Sequence, residues 1–113
     1  MSRAEFENVV DAALDEIPED ILAQIENLAV VVEERPPGNE SGLLGLYEGV
    51  SLAERGIDYT GYLPDKITIF RISHLQLGLS RSHLEAEIRK TVLHEVAHHL
   101  GFGEQRLHEL GWA

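Results

Sequence analysis

HEVAHHLGFGEQRLHELGW, residues 94–112, is the stretch that decides the reading of this chain. Ahead of it, Ser82 and Glu85 form an S-x-x-E capping box, which predicts a long helix running to about Leu100. Gly101 supplies a left-handed stop. On that helix His94 and His98 stand one turn apart, separated by about 40° in azimuth and about 6 Å along the axis. Two imidazoles so placed can grip one metal ion. Glu95 lies about 100° from His94 and about 60° from His98, so it borders the same face. It is too short and wrongly aimed to join as a ligand, yet it reaches a water held by the metal.

This is the H-E-x-x-H arrangement of zinc hydrolases. A catalytic zinc takes three protein ligands and keeps one position open. Positions 101 and 102 hold Gly101 and Phe102, so the helix itself offers no third donor. The chain must turn at Gly101 and bring one back. Glu104 is the first liganding residue after the turn, which extends the pattern to H-E-x-x-H-x-x-G-x-x-E. Shuffling this composition yields H-E-x-x-H in about 4 of 100 chains, and the glycine and acid together lower that to below about 1 in 1,000. A chance origin on an exposed charged helix is therefore the weaker reading.

The string resembles the zincin metallopeptidases, and within them the small bacterial zincin-like proteins sometimes called mini-zincins. Their motif is H-E-x-x-H-x-x-G-x-x-D. LLGLYEGVSLAERG (residues 43–56) and PDKITIFR (64–71) look like further recurring segments of that family, so the resemblance spans most of the chain from Leu43 onward. It implies an α+β minimal zincin-like fold: N-terminal helices, a mixed sheet of about three strands, a long active-site helix and a short C-terminal helix. It also implies Zn²⁺ as cofactor, with His94, His98 and Glu104 as ligands and Glu95 as general base. Glu104 departs from the family's Asp by one methylene, and His108 or Glu109 on the closing helix are the alternative third ligands. The methionine turn of larger metzincins has no counterpart, since the only methionine is Met1.

Working outward, Ser2 and Glu5 form another capping box, and Phe6, Val9, Val10, Ala13, Leu14 and Ile17 follow at helical spacing. Pro18 ends that helix and opens a short second one with Ile21, Leu22 and Ile25 inward. LAVVVEE, residues 28–34, is β-branched and short, which predicts a strand. RPPGNESG, residues 35–42, reads as a loop. Leu43–Tyr47 reads as a strand in which Gly45 marks a bulge or a close backbone approach. KITIFRIS, residues 66–73, reads as the clearest strand and as the sheet edge that would receive an extended substrate. His99 is expected to be packed or to support a ligand, and His74 and His83 to lie at the surface. Tyr47, Tyr59 and Tyr62 read mainly as half-buried residues, with an oxyanion-donor role as the alternative. Trp112 is placed to lie beneath the site or to anchor the C-terminus on the core.

With 113 residues the chain is expected to form one domain, residues 1–113. An apolar fraction of 43% excludes a disordered chain. Zero cysteines exclude disulfides and thiolate metal sites. The acidic, amphipathic start reads as neither signal nor transit peptide, and the expectation is a cytoplasmic protein. Net charge is −11, and residues 1–34 hold ten acids against one base. Such a chain repels a phosphate backbone, so no nucleic-acid partner is expected, nor a membrane one. The oligomeric state is left open, a homodimer included.

The function expected is a zinc metallopeptidase acting on a peptide or protein substrate through a water on the metal. One rival is a zincin scaffold that acts by binding alone. Another is an RNA-processing metallohydrolase, which wants a histidine at the third-ligand position and a basic groove; Glu104 and the net charge of −11 argue against it.

Overall fold

The computed structural model describes residues 1–55 and 64–113. Helix α1 (Arg3–Asp15) starts at the expected capping box: the Ser2 hydroxyl accepts from Glu5 N–H, and the Glu5 carboxylate accepts from Ser2 N–H. Pro18 caps the single-turn α2 (Glu19–Leu22). Ile21 is buried there, whereas Leu22, expected inward, is 52% exposed, because one turn can bury only one side.

Among the described residues three strands follow: β1 (Leu28–Glu33), β2 (Gly45–Glu48) and β3 (Asp65–Phe70). The sheet order is β1-β3-β2, with β1 parallel and β2 antiparallel to β3. Two expectations about KITIFRIS are corrected here. The strand ends at Phe70, and Arg71–Leu75 forms a short helix, α3. Arg71 is drawn out of the sheet line by its ion pair with Glu34 and its hydrogen bond to the Met1 carbonyl. The strand is also central, not an edge. Its residues Ile67–Phe70 are all buried, as a strand covered on both faces requires. The edge beside the long helix is β2.

The long helix α4 (Arg81–Leu100) packs across β2 and β3 and against α1. Its cap is Ser80 rather than Ser82: the Ser80 hydroxyl accepts from His83 N–H, so the helix begins earlier and the Ser82–Glu85 pair lies inside it. Gly101 ends it at φ 79°, as expected. An added Cβ there would lie 2.3 Å from the Ala53 Cβ, so the turn also needs a glycine for the close pass of the Leu52–Glu54 3-10 turn. Helix α5 (Glu104–Leu110) then returns, and Trp112 is buried in the core at its end. This is the α+β minimal zincin-like arrangement, with five helices and a small mixed sheet among the described residues.

Candidate functional site

Helix α4 is buried on nearly all sides of its second half, because the sheet, α1 and the 3-10 turn surround it. Leu93, Val96 and Ala97 are fully buried. Residues 94, 95 and 98 lie on the side where β2 crosses the helix. Gly45 makes that crossing close: a Cβ at this position would sit 2.8 Å from Thr91 Cγ2 and 3.1 Å from Glu95 Cγ. The expected close approach at Gly45 is thus present, and it sets the edge strand directly against the candidate base.

Glu95 is buried, and its Oε1 lies 3.2 Å from His98 Nδ1. His98 is mostly exposed and His94 half-buried. The Nε2 atom of His94 is itself buried and has no hydrogen-bond partner. A buried ring nitrogen left in this state costs free energy unless something binds it. Two open grooves flank these residues. One, of about 340 Å³, runs past Gly42–Gly45, Lys90, His94 and Glu95. The other, of about 420 Å³, runs past Tyr47, Gly49, Ser51, His98 and Phe102.

Glu95 touches His98, and His94 shares a groove with Glu95, but Glu104 is not grouped with them. Among the described residues no three His, Cys, Asp or Glu side chains are assembled to hold a metal. Glu104, His108 and Glu109 are all on α5; Glu104 and His108 are exposed, and Glu109 pairs with Arg106 at 3.3 Å.

Behind the site lies a buried polar cluster that sequence reasoning missed. Asp65, 2% exposed, accepts hydrogen bonds from the Tyr47 hydroxyl, from Arg55 Nη2 at 2.7 Å and from His99 Nδ1 at 2.9 Å. His99 accepts in turn at Nε2 from Glu26 N–H, 3.3 Å away, which assigns the proton to Nδ1. Burial pushes the Asp65 carboxyl up, but the donors Tyr47, His99 and Arg55 outweigh it and hold the group below the usual aspartate range. His99 is packed, as expected. Tyr47 is half-buried with its hydroxyl on Asp65, which supports the structural reading over the oxyanion one. Tyr59 and Tyr62 lie outside the described residues. The signal available for Asp65 was an acid at the start of the clearest strand in the sequence.

His74 corrects another expectation. It is fully buried, with Nδ1 2.8 Å from the Phe70 carbonyl and Nε2 2.9 Å from the Thr91 hydroxyl. The turn into α3 carries it inward against Phe6, a displacement that the uninterrupted strand pattern hid. His83 is exposed, as expected.

The profile of the zincin-like metallopeptidases matches residues 25–112. The chain belongs to that family. Among solved structures, this zincin-like chain is similar to a conserved hypothetical protein from Thermo thermophilus, at 29% identity and a TM-score of 0.61. The match covers 88% of this chain and 94% of the other. No curated protein matches it. No helix among the described residues is long and apolar enough to cross a membrane.

Proposed function

We infer that the protein is a zinc metallopeptidase whose working residues are His94, Glu95 and His98, with Glu104 as third ligand. The observation that carries this is the orphaned, buried His94 Nε2, on the same groove as Glu95 and on the helix that carries the Glu95–His98 contact. Those donors fit Zn²⁺, which imidazole and carboxylate ligands suit. Zinc bound there supplies a Lewis acid that polarises the scissile carbonyl and makes water a nucleophile near neutral pH.

The chain's own residues do the rest. The Glu95 carboxylate takes the proton of the attacking water and delivers it to the leaving amine. Its contact with His98 and its packing under Gly45 hold it in that orientation. The outer side of β2 takes an extended peptide antiparallel to itself, with its residues passing along the two grooves. This puts the substrate on β2 in place of KITIFRIS, because β2 is the strand that meets α4 at Glu95.

One observation favours a second reading, a zincin scaffold that binds a partner without cleaving it: Glu104 is not grouped with the two histidines. A single experiment separates the readings. Protein purified without an affinity tag is dialysed against zinc and assayed on a peptide library, alongside His94→Ala and Glu95→Gln. The peptidase reading expects about one zinc per chain, none in His94→Ala, and cleavage lost but zinc kept in Glu95→Gln. Zinc bound without cleavage by the wild type leaves the binding scaffold. Zinc uptake unchanged in His94→Ala removes the site.

A further inference from the structure

Strand β1 is the other edge of the sheet, and its outer side is a second place where chain can be added. The Asn27 carbonyl faces β3, accepting from Asp65 N–H at 2.9 Å. Further along, the Val32 carbonyl faces away and accepts from the Arg3 guanidinium. Backbone groups alternate along a strand, so the N–H and C=O of Val30 open to the same outer side as Val32. Arg3 covers only the Val32 end. The remainder of the edge borders an open groove of about 460 Å³ between α1 and β1, lined by Glu7, Asp11, Leu14, Val30 and Glu33.

The charge along this groove selects the occupant. Arg3, the base that lines it, is already engaged by Glu7 and Glu34. Asp11 and Glu33 are exposed, and among the described residues neither is in an ion pair or side-chain hydrogen bond. A second copy of the chain would bring its own Asp11 and Glu33 against these, with ten acids and one base in each copy's first 34 residues. An open edge of half-buried valines is a template for strand pairing, and like charge is a common way to refuse self-pairing. A cationic strand meets no such refusal.

We propose that the outer edge of β1 is a docking site for an extended, basic segment of a partner protein, added as a fourth strand with Lys or Arg side chains over Asp11 and Glu33. Its backbone pairs with Val30, and its apolar residues lie along Val30 and Leu14. This surface is on the opposite edge of the sheet from β2 and does not depend on the reading of the metal site.

The test is fluorescence anisotropy with a labelled, end-blocked heptapeptide of alternating Lys and Val. The expected result is saturable binding that an alternating Glu–Val peptide lacks. Methylating alternate backbone nitrogens of the Lys–Val peptide should weaken binding by about tenfold or more. Asp11→Lys with Glu33→Lys should do the same, while Asp20→Lys with Glu40→Lys, an equal charge change elsewhere, should alter it less than about threefold. Equal loss in both double variants would reduce the effect to diffuse attraction and overturn the proposal. So would undiminished binding of the methylated peptide, or no binding at all. A sedimenting dimer whose Val30 amide is protected from exchange would give the edge to a second copy and overturn it as well.

Discussion

The Asp65 carboxylate at the start of β3 accepts a 2.9 Å hydrogen bond from the Nδ1–H of His99, the residue next to His98 on α4, and both side chains are buried. Through this bond the sheet holds the helix segment that carries the candidate metal ligands. Tyr47 from β2 and Arg55 from the segment after it converge on the same carboxylate, so Asp65 fixes the edge strand and the helix relative to each other.

Asp65→Asn keeps the shape but removes the buried charge that faces the Arg55 guanidinium at 2.7 Å, while the longer Arg55–Glu26 pair at 3.7 Å stays. Breaking a buried pair from one side costs about 3–5 kcal/mol. The loss should be read from the urea midpoint at pH 7. Because the folded carboxyl sits below the usual range, its stabilisation is full above the unfolded pKa, about 4, and is lost as pH falls through the folded value. Asp65→Asn should therefore also flatten the acid limb of the stability curve.

His74 contributes a second dependence on pH. Burial is the main cause that holds its imidazole below the ordinary 6.5, with the Phe70 carbonyl and Glu87 opposing it in part. The folded state keeps the ring neutral while the unfolded chain protonates it. Stability is thus full above about pH 6.5 and falls as pH drops towards the folded value. His74→Gln should shrink the slope of unfolding free energy below about pH 6.5. An unchanged slope would assign that proton to another group.

Gly45→Ala tests the crossing of β2 over α4. The new methyl would lie 2.8 Å from Thr91 Cγ2, so strand or helix must shift, at about 1–3 kcal/mol. Since Glu95 Cγ is only 3.1 Å away, the shift should also misplace the base. The expected outcome is a fall in kcat larger than the rise in KM on a cleaved peptide. Ser82→Ala, at an exposed position in the first turn of α4, should leave both constants near wild type.

Competition against a zinc chelator ranks the third ligand. Glu104→Gln should weaken zinc binding about tenfold, about 1.4 kcal/mol, and Glu104→Asp should be tolerated. His108→Ala should matter less. Zinc lost in His108→Ala but kept in Glu104→Gln would move the third ligand further along α5.

What the sequence determined by itself is local. The Ser2–Glu5 box, the β-branched run of β1, the Gly101 stop and the spacing of His94, Glu95 and His98 each depend on residues within a turn or two of one another. Short-range sterics and hydrogen bonding settle such features before any packing. What only the tertiary structure decided are relations between distant segments. KITIFRIS reads as the clearest strand and as a candidate edge, yet β1 and β2 close on both its sides, and Arg71 leaves it for Glu34, far earlier in the chain. His74 looks exposed in the sequence and is buried because α3 folds back on Phe6 and Thr91. Asp65 carries no motif at all. Its role exists only because Tyr47, Arg55 and His99 are brought to it in a dry interior, where a carboxylate must gather donors to remain charged.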